Sequence, residues 1–444
     1  MWDRIMEIFC KFSPESTKSP SSKPSASGLT VFCFYIFGTL SFFNQELLYT
    51  ASEDILSGRD LPTATVLVCF VVPLLAVKVL APWFIQRIPY AVKVSFIALT
   101  MALGLAVIAF VEQIALKLVG IVLNALASGT AEVTFLGLTS FYPQICISSW
   151  VAGTGMASLV SPLYYTAVTT WTCVSPKVAT MITVPFPFLL MMFYAVLDKS
   201  NVLSISRRPQ ERVEVEYTAV GTSDSAEKPA SIPERLSFGG NLRIGVKILP
   251  FIIPLAFSYF AEYMSTSAVV TTIAFPNSGV MPRDHYLYYA LAYRLGKFVG
   301  RGYLFIFACL PDEAIEFLKC DKTWIFAVLN NALLIFFVFE SWYHFLPYIW
   351  IMIALCSILG IVAGMIVLHS PHAVARRVLP EEKEFALGLL TVGNAVGAFV
   401  AGFVGLAVEP YLTAECKQHF PATSDYCFTR VSTTSGWDTN IHCS

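Results

Sequence analysis

Glu132 is a carboxylate in the middle of an apolar run from about Leu118 to Phe141. A bare charge at bilayer depth costs about 2.5–3.5 kcal/mol on insertion scales, so such residues mark polar pathways. Glu46 and Glu262 interrupt two other apolar runs in the same way. A buried carboxyl group is pushed toward its neutral form, and a group that takes and releases a proton inside a membrane suits proton coupling. The alternative for each is a structural ion pair or a helix-packing hydrogen bond.

Basic residues at depth could answer these carboxylates. Lys78 lies within Leu74–Pro82, and Arg301 is followed by a long apolar stretch. Either could pair with a carboxylate or grip an anionic solute, and an arginine fork suits a phosphate or carboxylate. Arg294 and Lys297 precede Arg301 on one helical face and extend it into a basic stripe. Tyr286, Tyr289 and Tyr293 stand above that stripe and are expected to serve helix packing. Asn394 is a further polar residue at depth and joins the solute and proton pathway candidates. Beside it, Gly393, Gly397, Ala401 and Gly405 recur every fourth residue, a pattern that lets helices approach closely. His369 and His372 flank Pro371 at the end of an apolar run and are expected at the membrane interface.

The elements that must carry these groups follow from composition. The chain has 444 residues, 56% hydrophobic and 13% charged, against about 25% charged in soluble domains. This predicts an all-α polytopic membrane protein embedded in a lipid bilayer. A net charge of −1 argues against nucleic acid as a partner. Spans need about 20 apolar residues, and eleven are expected, at 30–52, 64–86, 91–111, 115–142, 150–171, 177–197, 246–275, 284–310, 323–341, 347–369 and 385–408.

Lys and Arg concentrate in the N-terminal tail, at Arg87 and Lys93, in the connection 198–245, and at Arg376, Arg377 and Lys383. By the positive-inside rule these are cytosolic. The expected organisation is a disordered cytosolic tail over 1–28, a six-helix bundle over 29–197, a cytosolic loop over 198–245, a five-helix bundle over 246–410 and a lumenal tail over 411–444. Six helices and five around a polar loop is the layout of transporters built from two bundles. No internal sequence repeat is visible.

The eleven cysteines form no CxxC pair, and no metal or cofactor is expected. Cys416 and Cys427 in the lumenal tail are a candidate disulfide, the alternative being a free tail. No HExxH, GxSxG or P-loop pattern supports an enzyme. Tyr217 and Val220 in the cytosolic loop form a tyrosine-based sorting motif of the kind adaptor complexes read.

Particular strings resemble a known family. Gly129-Thr-Ala-Glu132-Val-Thr-Phe-Leu136, Leu138-Thr139, Phe141-Tyr142-Pro143 and Tyr259-Phe-Ala-Glu262-Tyr263 are similar to signatures of the battenin, or Batten disease protein, family. So are Asp54-Ile55-Leu56, Lys78 with Leu80-Ala81-Pro82, Pro89-Tyr90, Gly153-Thr154-Gly155, Arg301 and Glu384-Phe385-Ala386. The resemblance implies a lysosomal or vacuolar membrane protein with a major-facilitator-like fold, needed for glycerophosphodiester efflux and organellar pH. In that architecture helices 1, 4, 7 and 10 line a central cavity, so Glu46, Glu132 and Glu262 would converge on it. Lys78 and Arg301 would fit a phosphodiester, and protons would be the coupling ion. The chain departs from the family at its end, where Cys443 is second from last and no prenylation box is expected. No glycosylation sequon is present, and Leu359 and Asn394 stand where relatives can carry acids. A basic amino acid transporter and a non-transporting trafficking protein remain alternative readings.

Overall fold

The computed structural model describes residues 27–56, 64–200, 238–273, 275, 278, 282–309, 314–315, 318–419 and 437–438. Eleven long elements span these residues: α1 (Gly28–Thr50), α2 (Ala64–Phe84), α3 (Tyr90–Phe110), α4 (Ile114–Leu138), α5 (Ile145–Thr166), α6 in two pieces (Pro176–Thr183 and Phe188–Val196), α7 (Phe238–Met264), α8 (Pro282–Ile306), α9 (Trp324–Tyr343), α10 (Ile349–Arg377) and α11 (Lys383–His419). No strand occurs among the described residues. Local chemistry sets the breaks. Ser27 caps α1 by accepting from the Thr30 amide at 3.2 Å. Pro185 and Pro187 lie between the two pieces of α6, where proline cannot sustain the helical ladder.

Ten elements are long and apolar enough to cross a membrane. The exception is α8, whose 25 residues include Arg294, Lys297 and Arg301. It is long enough to span, but its inward face is charged, and it packs against α5 and α10. Several ends differ from expectation, and α7 begins at Phe238, inside the connection expected to run to 245. α10 continues to Arg377, carrying His369 and His372 inside the helix, and α11 continues to His419.

The packing reveals a duplication that the sequence hides. In one half α1 packs on α5, α2 on α4, α3 on α4 and α1 on α4. Moving each label up by six gives α7 on α11, α8 on α10, α9 on α10 and α7 on α10, and every one of these contacts is present. The halves meet through α5–α8 and α2–α11, which exchange under the same operation.

Small residues close the paired helices. A β-carbon at Gly38 would lie 2.1 Å from the Trp150 carbonyl oxygen of α5, and one at Gly397 would lie 2.2 Å from the Ala256 oxygen of α7. Gly393 and Gly405 of the same α11 face also meet α7 or the turn that follows it, so this stripe serves close helix contact.

We call the side where α1 begins the near side and the side where it ends the far side. The basic stripe of α8 and the carboxylates Glu46 of α1 and Glu132 of α4 line the cavities between the halves.

Candidate functional site

Glu132 does not stand alone on α4. Its Oε2 accepts from the Lys78 ammonium of α2, and its Oε1 accepts from Asn394 Nδ2 of α11 at 2.6 Å. The same ammonium donates to Asn394 Oδ1 at 2.9 Å. Three helices are thus tied by a closed ring of three side chains, all buried. Desolvating two charges is costly, and the amide satisfies lone pairs and protons that the ion pair alone would leave bare.

A second pair lies between α7 and α8. Lys297 Nζ donates to Glu262 Oε1 at 2.7 Å, and the Tyr293 hydroxyl donates to the same oxygen. Glu262 Oε2 is buried without a hydrogen-bond partner among the described residues. A looser third pair joins the halves, with Arg294 Nη1 at 3.4 Å from Glu46 Oε2 and donating to the Ser158 carbonyl oxygen at 3.0 Å.

Arg301 is the exception. Its side chain is 2% exposed, yet its guanidinium donates only to hydroxyls, to Thr154 Oγ1 of α5 at 2.9 Å and to the Tyr259 hydroxyl of α7 at 3.2 Å. The Phe42 ring lies beneath it at 5.8 Å, and its Nε is buried without a hydrogen-bond partner. Lys78, Lys297 and Arg294 each face one carboxylate. Among the described residues Arg301 makes no direct ion pair; its hydrogen bonds go to hydroxyls, with Glu262 and Glu46 acting on it only at longer range.

Two cavities reach this cluster. The wider, of about 200 Å³, lies toward the far side and is lined by Glu46, Tyr49, Tyr263, Tyr289, Arg294 and Lys297 among others. A narrower one, of about 20 Å³, shares Glu46, Tyr49, Tyr263 and Lys297 with it and continues to Lys78, Glu132, Arg301 and Asn394. The near side is closed by contacts between the halves. Tyr90 donates to Glu384 Oε1 at 2.5 Å, Lys319 donates to Gln144 Oε1 at 3.1 Å, and Ser148 Oγ is 2.9 Å from His372 Nε2. The Trp83 and Phe385 rings meet edge to face at 5.4 Å. Access to the charged cluster is therefore from the far side.

The arrangement sharpens several expectations. Glu46 and Glu132 share the narrow cavity, whereas Glu262 stands behind Lys297, and each of the three has its own cation. Tyr289 is not simply a packing residue, because it lines the wide cavity with its buried hydroxyl unpartnered among the described residues. Tyr293 bonds Glu262, a role the periodic pattern did not signal. His369 and His372 are both 1% exposed, the first bonded to the Tyr303 hydroxyl and the second to Ser148. Leu359 lines the wide cavity. Cys416 sits on α11 and is disulfide-bonded, as is Cys173, a residue with no distinguishing signal along the chain. Cys427, Tyr217 and Val220 lie outside the described residues. Thr154 and Tyr259, the two partners of Arg301, occur in the sequence strings quoted above but carry no chemical signal of their own.

Comparisons with known proteins bear on the family and the fold. A family model described as CLN3 protein matches residues 32–415. Protein btn-1 of Neurospora crassa is 25% identical, the match covering 89% of this chain and 90% of that protein. Battenin of Canis lupus familiaris is 27% identical over 90% of this chain and 94% of its own length. Protein BTN1 of Saccharomyces cerevisiae is 26% identical over 89% and 98%. Among solved structures, the major facilitator superfamily transporter FucP in its outward conformation superposes with a TM-score of 0.55 at 14% identity, covering 91% of this chain and 98% of that one. The human organic anion transporter MFSD10 gives 0.53 at 12% identity, covering 92% and 97%. These likenesses show a major-facilitator fold.

Proposed function

The chain belongs to the CLN3 protein family, and from that premise we propose that it is a lysosomal membrane transporter that moves a small anionic solute, a glycerophosphodiester, by alternating access coupled to protons. The observation that carries this reading is Arg301, a buried guanidinium on the narrow cavity that is hydrogen-bonded to hydroxyls and makes no direct ion pair among the described residues. A phosphodiester monoanion would balance its charge and could take two of its N–H groups at once. The alternating hydroxyls of Tyr49, Tyr263 and Tyr289 along the wide cavity suit the polyol arms of such a solute.

Proton coupling would work through the two buried ion pairs. Protonating Glu132 or Glu262 removes the charge that engages Lys78 or Lys297. The released ammonium is then available to the solute, so proton and anion favour each other's binding. The far-side cavity would face the lysosomal lumen if the Lys- and Arg-rich near side is cytosolic.

A basic amino acid is disfavoured as solute by the basic stripe of α8, whose Arg294, Lys297 and Arg301 border the cavities. A sorting role for Tyr217 and Val220, read by adaptor complexes, would add to transport rather than replace it. The test is flux in proteoliposomes. Purified protein should carry a radiolabelled glycerophosphodiester down its gradient, faster with an inward proton gradient, and should leave arginine behind. Arginine flux without phosphodiester flux would overturn the substrate reading.

A further inference from the structure

Glu384 closes the near side, and nothing in the transport scheme above uses it. It opens α11, and its Oε1 accepts from the Tyr90 hydroxyl of α3 at 2.5 Å and faces Lys93 Nζ at 3.6 Å. The Lys93 side chain is 2% exposed and lies over the Tyr90 ring at 3.9 Å. These contacts join α11 of one half to α3 of the other. They border a cavity of about 10 Å³, lined also by Pro82, Gln86, Val133, Thr134 and Gly388. That volume is near the minimum for one water molecule. Thr134 Oγ1 on its wall is buried without a hydrogen-bond partner among the described residues, an independent sign that a small polar ligand belongs there.

This site is separate from the Glu132 ring. Val133, Gly388 and Pro82 stand between them as an apolar septum, with a β-carbon at Gly388 only 3.2 Å from Val133 Cγ1. Along α11, Glu384 and Asn394 are ten residues apart, about 15 Å at the rise of an α-helix.

We propose that Glu384, with Lys93, Tyr90 and Thr134, forms a second proton-binding site that ties closure of the near side to the ionisation of Glu384. Ionised, the carboxylate holds α11 to α3 through the lysine and the tyrosine. When the carboxylate takes a proton from the near-side solution, Lys93 loses its counter-charge, the tie weakens and the near side opens. The facing groups allow this. From α3 they are Tyr90 and Lys93, and from the α2 end and α4 they are Gln86 and Thr134, which do not titrate. Tyr142 and Tyr194 stand beyond Tyr90. In the turn just before α11, Glu382 faces Lys247 of α7 at 3.4 Å. Lys93 is thus the nearest charge that the ionisation state of Glu384 can engage or release.

The inference rests on the alternating-access reading, but its test needs no solute. Val133→Cys, 3% exposed at the septum, is labelled by a bulky impermeant maleimide from the near side, with Glu381→Cys as the exposed control. An open conformer that is at most about 10% populated leaves room for a large rise. Glu384→Gln should raise labelling of Val133→Cys by about tenfold at neutral pH, whereas Glu384→Asp should behave as the parent. Lowering near-side pH should raise labelling in the parent, normalised to the control, and leave Glu384→Gln unchanged. Labelling that ignores both the substitution and pH overturns the proposal. So does an equal rise in Glu384→Gln and Glu384→Asp, which would indicate loosened packing. Absence of glycerophosphodiester flux with intact pH-dependent labelling would instead sink the substrate reading alone.

Discussion

Arg301 of α8 reaches across the boundary between the halves to Thr154 of α5, its Nη1 at 2.9 Å from the threonine Oγ1. The bond places a full positive charge in a buried seam against a neutral partner. Such a charge costs several kcal/mol unless it is answered. A solute that answers it also bridges the two halves, which is where a transporter must sense occupancy.

Arg301→Gln should therefore separate stability from function. Losing a charged hydrogen bond costs about 1.5–3 kcal/mol of solute binding, a rise in KM of roughly 10- to 100-fold. The melting temperature of the purified protein should hold or rise, because an unanswered buried charge is gone. Arg301→Lys should recover only part of the affinity, since an ammonium lacks the planar fork.

The ring of Lys78, Glu132 and Asn394 should show strong coupling. Either Lys78→Met or Glu132→Gln leaves a partner buried and uncompensated, at about 3–5 kcal/mol. The double variant should regain much of that loss. Thermal melts of the four proteins give the coupling energy, and additive losses would contradict the ring.

The contact between α7 and α11 should tolerate no methyl group. Gly397→Ala puts a β-carbon 2.2 Å from the Ala256 carbonyl oxygen, so the helices must separate. Overpacking of this kind costs about 1–3 kcal/mol. Gly402→Ala on the same helix meets only the Leu67 side chain at 3.6 Å and should melt as the parent does.

Cys173 and Cys416 are both bonded, and reduction should be felt. Losing a disulfide costs about 2–4 kcal/mol. Cys416→Ser and Cys173→Ser should each lower the melting temperature under non-reducing conditions. Mass mapping of peptides before and after reduction identifies the partner thiols.

Much of the organisation was legible in order. Hydropathy runs located the long helices, because a span must be apolar over its whole length wherever it packs. The charged α8 was legible too, through its long helical register and the apolar residues that follow Arg301. Helix ends were less so. α10 passes His369 and His372 without stopping, since both imidazoles are bonded inside the protein rather than hydrated. The duplication was illegible, because packing repeats shape and not residue type.

At the site the division is similar. Glu46, Glu132, Glu262, Lys78, Arg301 and Asn394 could be named from sequence, since a polar group at bilayer depth is conspicuous against its neighbours. Which carboxylate meets which cation could not be. Glu132 and Lys78 are 54 residues apart and Lys78 and Asn394 are 316 apart, and only the approach of α2, α4 and α11 joins them. Thr154 and Tyr259 are unremarkable as letters and became partners of Arg301 only when α5 and α7 closed on α8. The sequence by itself determined that charges enter the membrane, because their cost there is a property of residue type and surroundings along the chain. The tertiary structure alone decided that Lys78, Lys297 and Arg294 form direct ion pairs whereas Arg301 bonds hydroxyls, because pairing depends on distances of a few ångströms between helices that the sequence keeps far apart.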